Sequence, residues 1–397
     1  MGRRNEIDDL WITQAMDATD GNITAAAKWI NDNYFPEHKV TRQNLHWWID
    51  ERDMKVPQEQ ADHNDLLRTN RRLTLSNNKL RREARHNLDC ADGFDNVMAS
   101  IEEAIRDFDP PAPPVYPPAD IEGKSITIEL LFSDIQIGKL MDDYDSNVAR
   151  RRLDEWLQVV VQRIYSYRNN GYAIEKIVFA CLGDIIESDK KHDNSGRACD
   201  IGTADQLKIG IELLYGAIYG LAQIGVPMDI IMITGNHDHD GHGLNMFKPG
   251  REHLSWPMYH AVRMLCQQTD LNVSFYIPEG SFHLYELYGQ KVLYEHGVGI
   301  ATSEAAMSKH VSNRTRQIKQ YITLFRMGDK HSVCRFNNDR LVVNGAFFGD
   351  SRTGEEYSGI VGYDGEPAQL LFAHCKRDDD FRTSIFDSLS IQLGHVK

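Results

Sequence analysis

The sequence predicts an α/β protein whose sheets are buried on both faces, preceded by a small all-helical region. Three observations predict it. Beyond residue 123, short β-rich apolar runs alternate with longer stretches of helical periodicity. The runs are predominantly apolar, and their alternation with helical stretches indicates sheets covered on both faces. The first 108 residues show apolar spacing of helical period and no strand-like alternation.

Composition sets the frame. At 397 residues the chain exceeds one ordinary core, so two or more domains are expected. Its 41% hydrophobic and 26% charged content is that of a soluble globular protein. No apolar run reaches the roughly 18–20 residues of a membrane span, and the N-terminus lacks the apolar stretch of a secretory signal. Six scattered cysteines, without pairs at short spacing, suit reduced thiols and a cytoplasmic location. A net charge of −14 excludes a nonspecific polycation but suits carboxylates that bind cations.

The helical region comes first. Asn22 or Thr24 caps one expected helix through Trp29 and Ile30, "NYFPEHK" breaks it, and Thr41 caps a second through Ile49. This pattern resembles a helix-turn-helix of the factor-for-inversion-stimulation type over residues 1–58. Thr41, Arg42, Gln43, Asn44 and His46 would then face DNA, where Arg, Gln and Asn bond base edges bidentately. A small helical bundle for protein contacts is the plainer alternative.

Residues 59–108 follow as a helical segment. Leu66, Leu73 and Leu80 lie seven apart, with Asn70 and Asn77 between them, as in a short zipper seam. Seven basic residues stand against one acid between Leu66 and His86, so dimerisation and phosphate contact are both expected of it. A further amphipathic series runs through Phe94, Met98, Ile101, Ile105 and Phe108. Residues 109–122 form the linker, six of the twelve residues Asp109–Asp120 being proline, a composition that favours a semi-rigid spacer.

Residues 123–397 form the expected α/β domain. "SITIELLFSD", "KIVFACLGD", "MDIIMITGN" and "KVLYEHG" each run from apolar β-rich residues into a polar cluster. In open α/β sheets, functional groups gather just past the strand ends. Those exits deliver Asp134 and Gln136, then Asp184 with Glu187 behind it. Asn236, His237 and Asp238 follow, then His296, then Asp329 and His331. Each alone reads as a turn, a cap or a hydrogen-bonded histidine. Five stations in series point to a metal site, with glycines beside nearly every one to let the backbone turn sharply.

These motifs resemble those of the calcineurin-like metallophosphoesterases, which run D-x-H, G-D-x-x-D/E, G-N-H-D/E, a lone H and G-H-x-H. The nearest likeness is to SbcD-type DNA-repair nucleases and their phage-encoded relatives. The resemblance implies a four-layer sandwich of two mixed sheets flanked by helices, holding two divalent ions. Asp134, Gln136 and His331 would hold one ion; Asn236, His296 and Asp329 the other; Asp184 would bridge them. His237 would protonate the leaving oxygen, steered by Asp238. Gln136 and Asp329 depart from the pattern, both standing where it has His. These harder donors favour Mn²⁺, or Mg²⁺, over softer ions.

The expected function is therefore a nuclease cutting DNA through a two-metal mechanism, targeted by its N-terminal module. Competing expectations are a phosphatase or cyclic-nucleotide phosphodiesterase, or a non-catalytic DNA-binding regulator. Expected partners are DNA, a second copy of the chain in a homodimer or higher oligomer, and a partner ATPase such as SbcD-type nucleases have. No membrane is implied. Residues His192, Arg197, His239 and His242 lie near the stations without a clear role.

Overall fold

The structure, a computed structural model, describes residues 8–34, 39–51, 73, 98–99, 101–103, 105–106, 108, 124–189, 199–238, 250–349, 365–377 and 383–394. Two compact units divide between residues 89 and 90.

In the first unit three helices form around one small core. The first, α1 (Asp9–Ala18), is capped by the Asp8 carboxylate, which accepts from Leu10 N at 2.9 Å. Asn22 caps α2 (Ile23–Tyr34), its Oδ1 accepting from the amides of Thr24 and Ala25. The Thr41 hydroxyl accepts from Asn44 N ahead of α3 (Arg42–Glu51). Ile12, Ala26, Ile30, Leu45, Trp48 and Ile49 close together beneath these caps. The turn into α3 is set by the Asn31 side chain, which donates to Val40 O and accepts from Val40 N, each at 2.8 Å. The opposite face of α3 leaves Arg42, Gln43, Asn44 and His46 exposed. Of the zipper positions, Leu73 is helical and exposed; Leu66, Asn70, Asn77 and Leu80 lie outside the described residues.

The second unit holds two mixed sheets. The first has the order β11-β10-β1-β2-β3-β4, built from β1 (Lys124–Phe132), β2 (Tyr172–Cys181), β3 (Met228–Met232), β4 (Val273–Tyr276), β10 (Ala368–His374) and β11 (Ile385–Gln392). Within it β1 to β4 run parallel, and β10 and β11 close the edge antiparallel. The second sheet has the order β5-β6-β7-β9-β8, from β5 (Phe282–Leu287), β6 (Gln290–Glu295), β7 (Leu324–Met327), β8 (Cys334–Phe336) and β9 (Leu341–Val343). There β6, β7 and β9 are parallel.

The two-residue period of a strand explains the layers. On β1, Ile128, Leu130 and Phe132 face a helical layer of α4 (Ser146–Asn169), α5 (Thr203–Ala222) and α6 (Ser255–Gln268). Leu131 points the other way and meets Val292, Tyr294, Leu324 and Val342 of the second sheet. The alternate residues of that sheet, Leu293, Phe325 and Met327, pack outward with Met307 of α7 (Glu304–Ile318). Helices, sheet, sheet and helix thus form the four-layer α/β sandwich.

Part of the amphipathic series packs on the core of the second unit. Ile101 is buried in the helical-layer core, Ile105 and Phe108 pack against it, and the Phe108 ring meets Tyr215 at 4.8 Å. Ile101, Ile105 and Phe108 thus pack on the helical layer beside α5, within the unit that begins at residue 90. Among the described cysteines, Cys181, Cys199, Cys266, Cys334 and Cys375 are unbridged. No helix among the described residues is long and apolar enough to cross a membrane.

One polar cluster sits between the sheets. Glu129 of β1 is fully buried, yet both its oxygens are taken. Tyr294 OH donates at 2.7 Å, His374 Nε2 at 2.9 Å and the Arg326 guanidinium at 3.2 Å. Arg326 also donates to Asp339 O and lies over the Phe372 ring. Burial would push the Glu129 carboxyl up, but Arg326 and these donors hold it down at about 2.

Candidate metal centre

All five stations leave the carboxyl ends of parallel strands. Those after β1, β2 and β3 are neighbours in one sheet, and those after β6 and β7 are neighbours in the other. The backbone there is unusual. Asp134 (φ 54°), Gln136 (43°), Asp184 (54°), Asp329 (66°) and His331 (58°) all take the left-handed conformation. Each such residue costs roughly 1–3 kcal/mol and persists only where its surroundings impose it.

Main-chain bonds impose it here. Asp134 N donates to Gly183 O, Gln136 N to Asp184 O, and Gly328 N to His296 O. Two glycines permit the approach. A Cβ on Gly235 would lie 2.0 Å from Asp184 Oδ1, and one on Gly328 would lie 2.6 Å from Asp134 Oδ2.

The side chains converge. Asp134, Asp184 and His296 are all buried and bring ligand atoms within 4.8 Å of one another. His296 Nε2 lies 2.8 Å from Asn236 Oδ1, 3.1 Å from Asp184 Oδ2 and 3.6 Å from Asp329 Oδ1. Its Nδ1 is 2.7 Å from Leu182 O, which fixes Nδ1 as the donor and aims Nε2 at the carboxylates. On the other side, His331 Nε2 lies 3.4 Å from the Gln136 amide and 3.7 Å from Asp134 Oδ1. These contacts link the seven expected residues pairwise, and Asp134, Asp184 and His296 are the three whose ligand atoms lie together. Asp329 also pairs with Lys330, whose Nζ is 2.6 Å from Oδ2.

Buried polar atoms normally have partners, yet Asp134 Oδ1 and Gln136 Oε1 have no hydrogen bond. Oxygen-rich donors left this way fit a divalent cation. The charges say the same. Burial, with Asp184 and Asp329 close by, raises Asp134 to about 7 against the pull of His296. Asp184 is likewise disfavoured by burial, but the His296 and His237 charges overcome this and depress it. Burial disfavours the charged His296 ring, but the carboxylates around it raise it to about 10. Burial lowers His331 to about 3, helped by the Lys139 and His237 charges. The proton held on His296 supplies the positive charge that a cation would bring.

His237 adjoins this cluster, its backbone N–H donating to Asp184 Oδ1 at 2.8 Å. The expected partnership with Asp238 is replaced by another. Both Asp238 oxygens accept main-chain amides, from Gly235 at 2.7 Å, Ile185 at 3.0 Å, Asp184 at 3.1 Å and Ile186 at 3.3 Å. Asp238 therefore ties two strand exits together. The carboxylate beside the His237 ring is Glu187, whose Oε2 is 3.2 Å from Nδ1. Lys139 Nζ stands 3.8 Å from the same oxygen and over the Phe348 ring.

Lys139 was not legible as part of the site, and neither was the layer beneath it. Buried Ser133, Asn344 and Gln369 bind one another there. Asn344 Nδ2 donates to Ser133 Oγ and Gln369 Oε1, which also accepts from Ser133 N. This network joins the β1 exit to β9 and β10. His192, Arg197, His239 and His242 lie outside the described residues.

No protein-family model matches the chain, and no curated protein is similar to it. Solved structures are. Vacuolar protein sorting 29 from Cryptosporidium parvum shares 12% identity over 67% of this chain and 98% of its own, with a TM-score of 0.33. A protein described as a predicted phosphoesterase from Streptococcus pneumoniae shares 11% over 68% and 94%, at 0.28. A putative 5′-nucleotidase from Staphylococcus aureus shares 10% over 68% and 54%, at 0.30. At this distance the architecture rests on the strand order and cores described above.

Proposed function

We propose that the protein is a metal-dependent phosphodiesterase that hydrolyses DNA in the cytoplasm. The observation that carries this reading is the convergence of buried Asp134, Asp184 and His296 beside His237, with Asp134 Oδ1 left unbonded. Asp134, Gln136 and His331 would hold one divalent ion, Asn236, His296 and Asp329 a second, and Asp184 would serve both. Bound there, such ions stabilise the attacking and departing oxygens of a phosphoryl displacement and lower the pKa of water. The oxygen-rich set favours Mn²⁺ or Mg²⁺.

The chain's own residues supply the rest. His237 donates the proton to the leaving oxygen, and Glu187 against its Nδ1 orients the ring and stabilises the charged form. Lys139 balances the Glu187 charge. Asp238 holds the loops that present Asp184 and His237.

DNA as substrate is supported by the first unit. There α3 presents Arg42, Gln43, Asn44 and His46 outward over a packed core, as a recognition helix would. Self-association through the helical segment 59–108 and a partner ATPase belong to the same reading. Incubation of labelled single- and double-stranded DNA with and without Mn²⁺ tests it. Cleavage is expected only with metal, and His237→Ala is expected to abolish it while Mn²⁺ binding persists. Turnover of a small phosphoester with DNA left intact, or DNA binding with no hydrolysis, would refute it.

A further inference from the structure

Beside the metal centre lies a cavity of about 430 Å³ that none of the proposed catalytic steps uses. Gly235 and His296 form its inner wall, so it opens directly off the cluster. Its far wall is one face of α7, where His310, Arg314 and Gln317 recur at helical spacing. Phe282 and Val298 add apolar surface. The volume is that of a small-ligand site.

The chemistry of the walls narrows the occupant. Arg314 donates through Nε to Glu295 Oε1 at 2.7 Å and through Nη2 to Oε2 at 3.1 Å. Its Nη1 donates to Gln317 Oε1 at 2.7 Å. His310 Nε2 lies 3.0 and 3.1 Å from the same two Glu295 oxygens. The guanidinium charge is therefore answered within the wall, and three of its five N–H groups are engaged. The α7 wall with Glu295 is thus charge-balanced among the described residues, which favours neither a second phosphate nor a cationic group. An aliphatic tail would strand the polar groups of Gln317 and His310.

What Arg314 still offers is a flat surface. Its guanidinium lies 4.4 Å over the Phe282 ring, so the pair makes a planar, charge-balanced platform. Guanidinium planes and aromatic rings stack heterocycles, and Gln317 can bond a polar edge. We propose that this cavity receives a single unstacked nucleobase, that of the nucleotide whose phosphate lies at the metal centre. Resting on the phosphodiester reading above, this makes the substrate a single strand or a frayed end rather than closed duplex.

Calorimetric titration with deoxyadenosine tests the pocket without chemistry or phosphate, with 2-deoxyribose as the control lacking a base. The protein is expected to bind deoxyadenosine at least about tenfold more tightly than 2-deoxyribose, as one base stack is worth. Val298→Trp, which fills the cavity, and Gln317→Ala, which removes the edge contact, should each weaken it, the former by about tenfold. Equal affinity for the two probes, or deoxyadenosine binding unmoved by both variants, would overturn the assignment. Hydrolysis of methyl p-nitrophenyl phosphate is scored separately. Hydrolysis without deoxyadenosine binding sinks the pocket and leaves the phosphodiester reading, whereas binding without hydrolysis does the reverse.

Discussion

Strand β1 carries one buried carboxylate and delivers another at its exit, five residues apart, and the two have opposite surroundings. Glu129 is bonded by Arg326, His374 and Tyr294 and held at about 2. Asp134 keeps an oxygen without a hydrogen bond and is raised to about 7. Both are fully buried. Burial alone therefore does not distinguish a structural carboxylate from a ligand; satisfaction does. Where the protein supplies every partner, the group welds two sheets together. Where strained backbone holds donors against one another with a bond unmade, something from outside is expected.

The largest expected effect breaks the structural half of the contrast. Glu129→Ala strands the Arg326 guanidinium between the sheets and should cost about 3–5 kcal/mol in denaturant unfolding. A cost below about 1 kcal/mol would mean that the cluster contributes no more than a surface pair. Asp134→Asn attacks the other half. It should lower DNA hydrolysis by at least about 10²-fold, while the metal-free protein unfolds no more easily, because a carboxylate raised by burial and by Asp184 and Asp329 is neutralised. A large loss of metal-free stability would make Asp134 another Glu129.

Two smaller effects sharpen the picture. If Glu187 stabilises the charged His237 ring, Glu187→Gln lowers the ring's pKa, and the alkaline limb of the rate profile moves to lower pH. The rate itself should fall by about tenfold. Asp238→Asn should leave that limb in place, since Asp238 touches main-chain amides; a shift there instead would restore the adjacent residue as the partner.

Stability against pH separates the two carboxylates by sign. Glu129 is depressed from 4.5 to about 2, so its contribution is full above 4.5 and lost as pH falls towards 2. Asp134 is raised from 3.8 to about 7, so without metal its contribution is full below 3.8 and lost as pH rises through 7. Stability curves for the native protein and Glu129→Gln should lie furthest apart above pH 4.5 and converge as pH falls from 4.5 towards 2. Curves that stay parallel there would remove Glu129 as the acid-sensitive group.

The stations were legible because each is local: an apolar run, then a ligand residue beside glycine. The sandwich was legible because predominantly apolar strands alternating with helical stretches need cover on both faces. What escaped depends on pairings across the chain. Ser133 meets Gln369 across 236 residues, and Glu129 meets Arg326 across 197. Lys139, beside a glycine, reads as an exposed loop residue until Phe348 and Glu187 are brought over it. Asp238 misled through its proximity to His237, for consecutive residues of a turning loop aim apart. The amphipathic run to Phe108 showed its apolar face but not that Tyr215 would cover it.

The claim that five strand exits share one cation-binding centre is tested most directly by titrating metal-free protein with Mn²⁺ under electron paramagnetic resonance. Two bound ions per chain with mutual spin coupling are expected, and Asp184→Asn should abolish the coupling. A native protein that binds no Mn²⁺, or a variant whose spectrum matches it, would contradict the account.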